Sequence, residues 1–128
     1  MNIDYFSQIE LQCHCGCGES NMNADFMQKL IALRQHLDFP LCLTSAYRCA
    51  KHNQAVSTSG GTGPHTTGRA VDILIHGEKA FMLITVAKQF GFTGIGLKQH
   101  GSHVQRYVHL DDLTTMATIT RPMVWTYA

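Results

Sequence analysis

Charge is scarce in this 128-residue chain. Ten Lys and Arg stand against nine Asp and Glu, a net charge of +1, and charged residues make up 15% of the total. The basic residues are scattered, which excludes the continuous positive surface that a nucleic-acid binder presents to phosphates. No apolar run approaches the ~20 residues that a membrane-spanning helix needs. The opening MNIDYFSQIE has neither a basic start nor an apolar centre, so it does not read as a secretory signal. The expectation is a chain made in the cytoplasm. Internal repeats and low-complexity tracts are missing too, and no glycine-rich loop carries the spacing of a nucleotide-phosphate cradle. An odd number of cysteines, five, excludes a full disulfide framework. What is left is one domain over residues 1–128, long enough to bury roughly two thirds of its unfolded surface. A monomer is expected.

The cysteines are unevenly placed. Cys13, Cys15 and Cys17 fall within five residues, and Cys42 and Cys49 flank the segment between them. A second, structural metal or a disulfide clip from the N-terminal loop to Cys49 would use them. The plainer reading is reduced thiols, with Cys42 a small core residue on a strand. We expect the reduced state in the cytoplasm, with one pair able to oxidise on export.

Local signals divide the chain into elements. Residues 3–11 read as a lead-in that sets Phe6 on the core, and residues 13–21 as an irregular loop. Asn23 is a helix cap, and Phe26, Leu30, Leu33 and Leu37 form one apolar helical face that Pro40 ends. Residues 41–48 read as a strand that delivers Arg48 to a loop. Residues 51–63, ending in Ser-Thr-Ser-Gly-Gly-Thr-Gly, read as a flexible loop. A second helix is expected over residues 77–90, with Gly91 as its stop. A strand follows at residues 94–97 and a polar loop at residues 98–105. After Leu113 the pattern is irregular, although Trp125 and Tyr127 are placed to dock the tail or line a cleft.

One stretch demands a chemical explanation. Residues 64–75, PHTTGRAVDILI, end in an apolar run that reads as a buried strand with an aspartate in its middle. A buried carboxylate is costly unless it is paired or holds a metal. His65 stands seven residues before Asp72, and a second apolar run carries His109 and Asp111. Strand alternation puts Asp72 on one face with Ala70 and Leu74, and His109 on one face with Tyr107 and Asp111. If the two strands are neighbours, Asp72 and His109 face each other across the ladder, and His65 closes a His-Asp-His set. Such a set, with a fourth position for water, is what a catalytic zinc site requires. One histidine among eight is more commonly a surface or satisfied core residue, so the pattern and not the residue type carries this reading.

The segments SAYRCAKHN (residues 45–53), GPHTTGRAVDI (63–73) and GIG…VHLD (94–111) occur in one order and spacing. Together they resemble the zinc D-alanyl-D-alanine carboxypeptidases and the related L-alanyl-D-glutamate endolysins of phage, whose fold the hedgehog domains share. The resemblance implies an α+β fold, a small and mainly antiparallel sheet with two longer helices on one side. It implies Zn2+ as cofactor, with His65, Asp72 and His109 as ligands. Arg48 takes the substrate-binding and transition-state-stabilising role, suited to a carboxylate by its bidentate guanidinium. The substrates implied are peptidoglycan stem peptides, reached by a separate route such as phage lysis. The cysteine cluster stands apart from that zinc site.

The sequence departs from the family pattern in two places. Gly63 stands where many relatives have serine. Arg106 stands where the better-studied relatives have an acidic general base, and Tyr107 where others have a histidine. His103, with His100 on the same loop, is the expected source of a replacement base, a histidine titrating in the useful range. Asp111 is a second candidate, expected chiefly to orient a ligand histidine through its other ring nitrogen. The missing base leaves one alternative, a zinc-stabilised cell-wall-binding module of the same fold without turnover.

Overall fold

The computed structural model describes residues 5–58 and 60–128. Residues 3 and 4 of the expected lead-in, and Ser59 in the 51–63 segment, lie outside the described residues.

Five short strands form one sheet: β1 (Cys42–Ser45), β2 (Ala70–Leu74), β3 (Gly94–Lys98), β4 (Tyr107–Asp111) and β5 (Met123–Thr126). Their order is β1-β2-β4-β3-β5. The pairings β1–β2, β2–β4 and β3–β4 are antiparallel, and β3–β5 is parallel. Among the described residues the α-helices are α1 (Gln8–Leu11), α2 (Ala24–Leu37), α3 (Ala50–Val56) and α4 (Gly77–Ala87). The fold class is α+β. Among the described residues no helix is long and apolar enough to cross a membrane.

The period-2 alternation of the two central strands decides which face meets the helices. Val71 and Ile73 of β2 and Val108 and Leu110 of β4 have no exposed surface. They share one core with Phe26, Met27, Leu30 and Leu33 of α2 and Leu83 and Ala87 of α4. Each such side chain contributes roughly 1.5–3 kcal/mol when fully buried, so this apolar layer holds the sheet in place. The intervening residues necessarily point the other way. There Ala70 pairs with Asp111, Asp72 with His109, and Leu74 with Tyr107.

Five local expectations need correction. The first helix ends at Leu37 because Asp38 adopts a left-handed conformation (φ 58°), two residues before Pro40. β1 stops at Ser45, with a register irregularity between Leu43 and Ser45 opposite β2. The irregularity turns Ala46 into the core, and Cys42 is exposed and not a core residue. The segment read as a loop over residues 51–63 contains α3, because helix-compatible residues run to Val56 and the Ser-Thr-Gly signals begin only at Ser57. The irregular tail contains β5, whose parallel pairing to β3 leaves most of its residues exposed and gives no alternating pattern.

Candidate metal centre

The polar face of the sheet is completed by a turn. Pro64–Thr67 forms a 3-10 helix ended by Gly68 in a left-handed conformation (φ 74°). A Cβ at Gly68 would run into the Asn21 carbonyl, and the Asn23 amide donates to the Gly68 carbonyl at 2.9 Å. The turn is thus pinned to the start of α2, and it places His65 just before β2.

His65, Asp72 and His109 are all buried, and a donor atom from each lies within 4.8 Å of the others. His65 Nε2 stands 3.2 Å from Asp72 Oδ1, and His109 Nδ1 stands 3.0 Å from the same oxygen. The outer nitrogens are already committed. His65 Nδ1 lies 2.8 Å from the Ala46 carbonyl oxygen, which can only accept, so Nδ1 carries the hydrogen. His109 Nε2 lies 2.8 Å from Asp111 Oδ2, and Asp111 is an ionised acceptor gripped by Arg121 through Nε at 2.9 Å and NH2 at 2.7 Å. In the neutral imidazoles, therefore, both inward nitrogens hold lone pairs. Two imidazole nitrogens and one carboxylate oxygen, each outer nitrogen anchored, form a donor set that fits zinc.

The charges agree with this placement. Burial pushes the Asp72 carboxyl up, but His65 and His109 outweigh it and hold the group well below the usual carboxylate range. Burial pushes His109 down, while hydrogen bonds to Asp111 and Asp72 more than reverse the effect and raise it. Asp111, also buried, is brought down to about 2, chiefly by Arg121 and then by His109.

Arg48 stands at the edge of the same group. Its Nε donates to Ser45 Oγ at 3.1 Å and its NH1 to the buried Asn53 at 3.1 Å. Its NH2 lies 3.6 Å from Asp72 Oδ2. A cleft of about 270 Å3 opens between Arg48, His65, Asp72, Tyr107 and Tyr127, with Ser57 and Thr58 at its margin. Burial raises the phenols of Tyr107 and Tyr127 above the ordinary tyrosine value. Both remain protonated donors at neutral pH.

The C-terminal strand contributes more than the sequence suggested. Trp125 of β5 leans on the His109 ring at 5.2 Å, Tyr127 reaches the cleft, and Arg121 holds Asp111. Sequence reasoning singled out neither Arg121 nor Ser45 nor Asn53 for a role at the site. Their partners are distant in the chain or set by the turn after β1, so no local pattern marks them. Glycine is what lets the tail approach: a Cβ at Gly96 would stand 2.7 Å from Trp125 Nε1 and 2.8 Å from a Tyr127 ring carbon. Gly96→Ala is expected to push these rings outward and cost about 1–3 kcal/mol, the usual range for overpacking. Thermal unfolding measures it, and an unchanged melting temperature would show that the rings move aside freely.

The sequence-predicted residues divide cleanly. His65, Asp72, His109, Asp111 and Arg48 come together. His103, expected to take a proton there, lies elsewhere. Its ring stacks on His76 at 4.1 Å, and it lines a separate cavity with Phe39, Pro40 and Lys79. The cause is local: the 3-10 helix His103–Gln105 turns the chain toward the start of α4 before β4 begins. His100 sits against the Tyr127 carbonyl at 3.3 Å. Arg106 turns back to the Gly101 carbonyl at 3.0 Å.

No curated protein matches this chain. A family model described as Peptidase M15 matches residues 4–111, a span that takes in Arg48, the three converging donors and Asp111. With most of its length matched, the chain belongs to the peptidase M15 family of zinc metallopeptidases.

Proposed function

We propose that His65, Asp72 and His109 hold one zinc ion. In this reading the protein hydrolyses an amide bond near a D-amino acid in peptidoglycan stem peptides, as a D,D-carboxypeptidase or an endolysin-type endopeptidase. One observation carries the reading: two anchored imidazoles and a buried carboxylate converge at a cleft that Arg48 also lines, 3.6 Å from the carboxylate.

When bound, zinc supplies Lewis acidity toward a carbonyl and makes water acidic enough to react near neutral pH. The remaining work belongs to the protein. Ser45 and Asn53 hold the Arg48 guanidinium in one orientation, suited to a substrate carboxylate or a developing oxyanion. The protonated Tyr107 and Tyr127 line the same cleft and add hydroxyl donors there. Asp111 is fully buried behind His109, so it orients that ring and is a positioning residue.

Arg48→Lys keeps a charge but loses the planar fork. Catalytic efficiency should fall by at least about tenfold, ~1.4 kcal/mol of transition-state binding, with zinc content unchanged. Unaltered kinetics would remove Arg48 from the substrate site.

A second reading has its own support. Among the described residues lining the cleft, Asp72 carries the one carboxylate, and His103 is placed elsewhere. A wall-binding module without turnover would need no base. Zinc-loaded protein incubated with purified muropeptides, followed by mass spectrometry, decides between them. Cleaved stem peptides establish the hydrolase and their masses name the bond. Retention of intact muropeptides without products establishes the binding module.

A further inference from the structure

The N-terminal loop between α1 and α2 is almost bare of apolar anchors. From His14 to Glu19 every residue is exposed. Yet the loop is tightly drawn in: Gly16 (φ 90°) and Gly18 (φ 80°) take left-handed turns, and the Cys13 amide donates to the Glu19 carbonyl at 2.7 Å. The turns gather Cys13, Cys15 and Cys17 on one point, where Cys49 meets them from the start of α3. All four sulfurs lie within 4.8 Å of one another. Cys13 and Cys15 are 3.5 Å apart, Cys13 and Cys49 3.7 Å, and Cys15 and Cys49 3.6 Å.

Those separations discriminate between the uses of four thiols. A disulfide needs sulfurs at ~2.0 Å, far closer than any of these. A zinc ion with Zn–S bonds of ~2.3 Å places tetrahedral sulfurs ~3.8 Å apart, close to the three spacings seen. Backbone donors also point at the sulfurs, the Cys49 amide to Cys13 Sγ at 3.3 Å and the His52 amide to Cys49 Sγ at 3.5 Å. Such contacts favour thiolate over thiol. Lys51 lines the adjoining surface and offsets negative charge there. An all-sulfur set selects a soft or borderline ion and excludes magnesium or calcium.

We propose that Cys13, Cys15, Cys17 and Cys49 form a second, structural zinc site, separate from the His-Asp-His centre. Its place in the fold gives it a purpose. Cys49 directly follows Arg48 and caps α3. The Tyr47 amide donates to the Leu11 carbonyl at 3.3 Å, so the same clip fixes the segment that aims Arg48. Three ligands come from the loop and one from the Arg48 segment, so binding adds a crosslink to the Tyr47–Leu11 and Tyr47–Glu19 hydrogen bonds that already join these two parts of the chain.

Sulfur ligation makes the test independent of catalysis. The combined His65→Ala, Asp72→Ala and His109→Ala variant, purified under reducing conditions, should retain one zinc per chain by elemental analysis. Replacement of that zinc by cobalt(II) should produce an intense sulfur-to-cobalt charge-transfer band saturating at one equivalent. Adding Cys15→Ser and Cys17→Ser should abolish both the metal and the band. If the triple variant does not fold, cobalt titration of the wild type serves, because the other centre contains no sulfur and gives no such band. No charge-transfer band, four thiols freely reactive toward a thiol reagent, a mass deficit of two hydrogens marking a disulfide, or another metal in the site would each overturn the proposal.

Discussion

Replacing His65, Asp72 or His109 with alanine is expected to empty the metal centre and reduce hydrolysis to background. Two remaining ligands rarely hold zinc. The loss of affinity should exceed the ~10- to 100-fold typical of changes to the groups behind the ligands. Because the cysteine cluster is a separate site, zinc content should fall by one per chain and not to zero. Elemental analysis on each variant measures this, and full occupancy in all three would remove the triad from the site. Acidification should act in the same direction. The folded-state pKa of His109 is raised, so in the metal-free protein its protonation adds stability that is complete below the ordinary histidine value of ~6.5. That contribution is lost as pH rises through the raised value. Zinc requires the neutral ring, so its affinity runs the opposite way, strengthening over the same rise. Zinc release on acidification should therefore begin at a higher pH than an ordinary histidine would set.

Arg121→Met is expected to be the most damaging change away from the metal. Asp111 has no exposed surface, and the Arg121 side chain is only 6% exposed. Breaking one half of a buried pair leaves an uncompensated charge and costs about 3–5 kcal/mol. For a chain of this size, that is a fall in melting temperature of roughly 10 °C or more. The change should also loosen His109, because Asp111 holds its outer nitrogen, and zinc affinity should drop ~10- to 100-fold. Asp111→Asn leaves the buried Arg121 guanidinium without its counter-charge, so it should lose comparable zinc affinity at a comparable cost in stability. The acid limb offers an independent reading. The Asp111 carboxyl is depressed to about 2, so its stabilisation is present above the ordinary carboxylate range and lost as pH falls toward 2. Without Arg121 that pKa rises, and acid unfolding should begin at higher pH. A variant that melts, binds zinc and unfolds in acid like the wild type would show that the ion pair does nothing.

The tail that supplies Arg121 also marks where sequence reading stopped. Met123–Thr126 pairs in parallel with β3, a non-local contact, and its exposed residues give no alternation. α3 was hidden for another reason. The strong Ser-Gly signals after Val56 dominate that stretch, although the seven residues Ala50–Val56 before them form a helix. His103 was chosen for its titration range and nearness in sequence. A single 3-10 turn was enough to send it to His76 at the start of α4.

By itself the sequence determined the two long helices, the central strands and which residues share a face, because these depend on periods of 3.6 and 2 within one segment. It also placed Asp72 inside an apolar strand, where only a partner or a metal makes a carboxylate tolerable. Tertiary structure alone decided that β2 and β4 are neighbours in the register that sets Asp72 opposite His109. It alone brought Arg121 to Asp111, Trp125 and Tyr127 to the cleft, and Cys49 to three cysteines some thirty residues earlier. Each of these contacts closes a long loop, and its stability comes from the packed sheet and core instead of any property of the local chain.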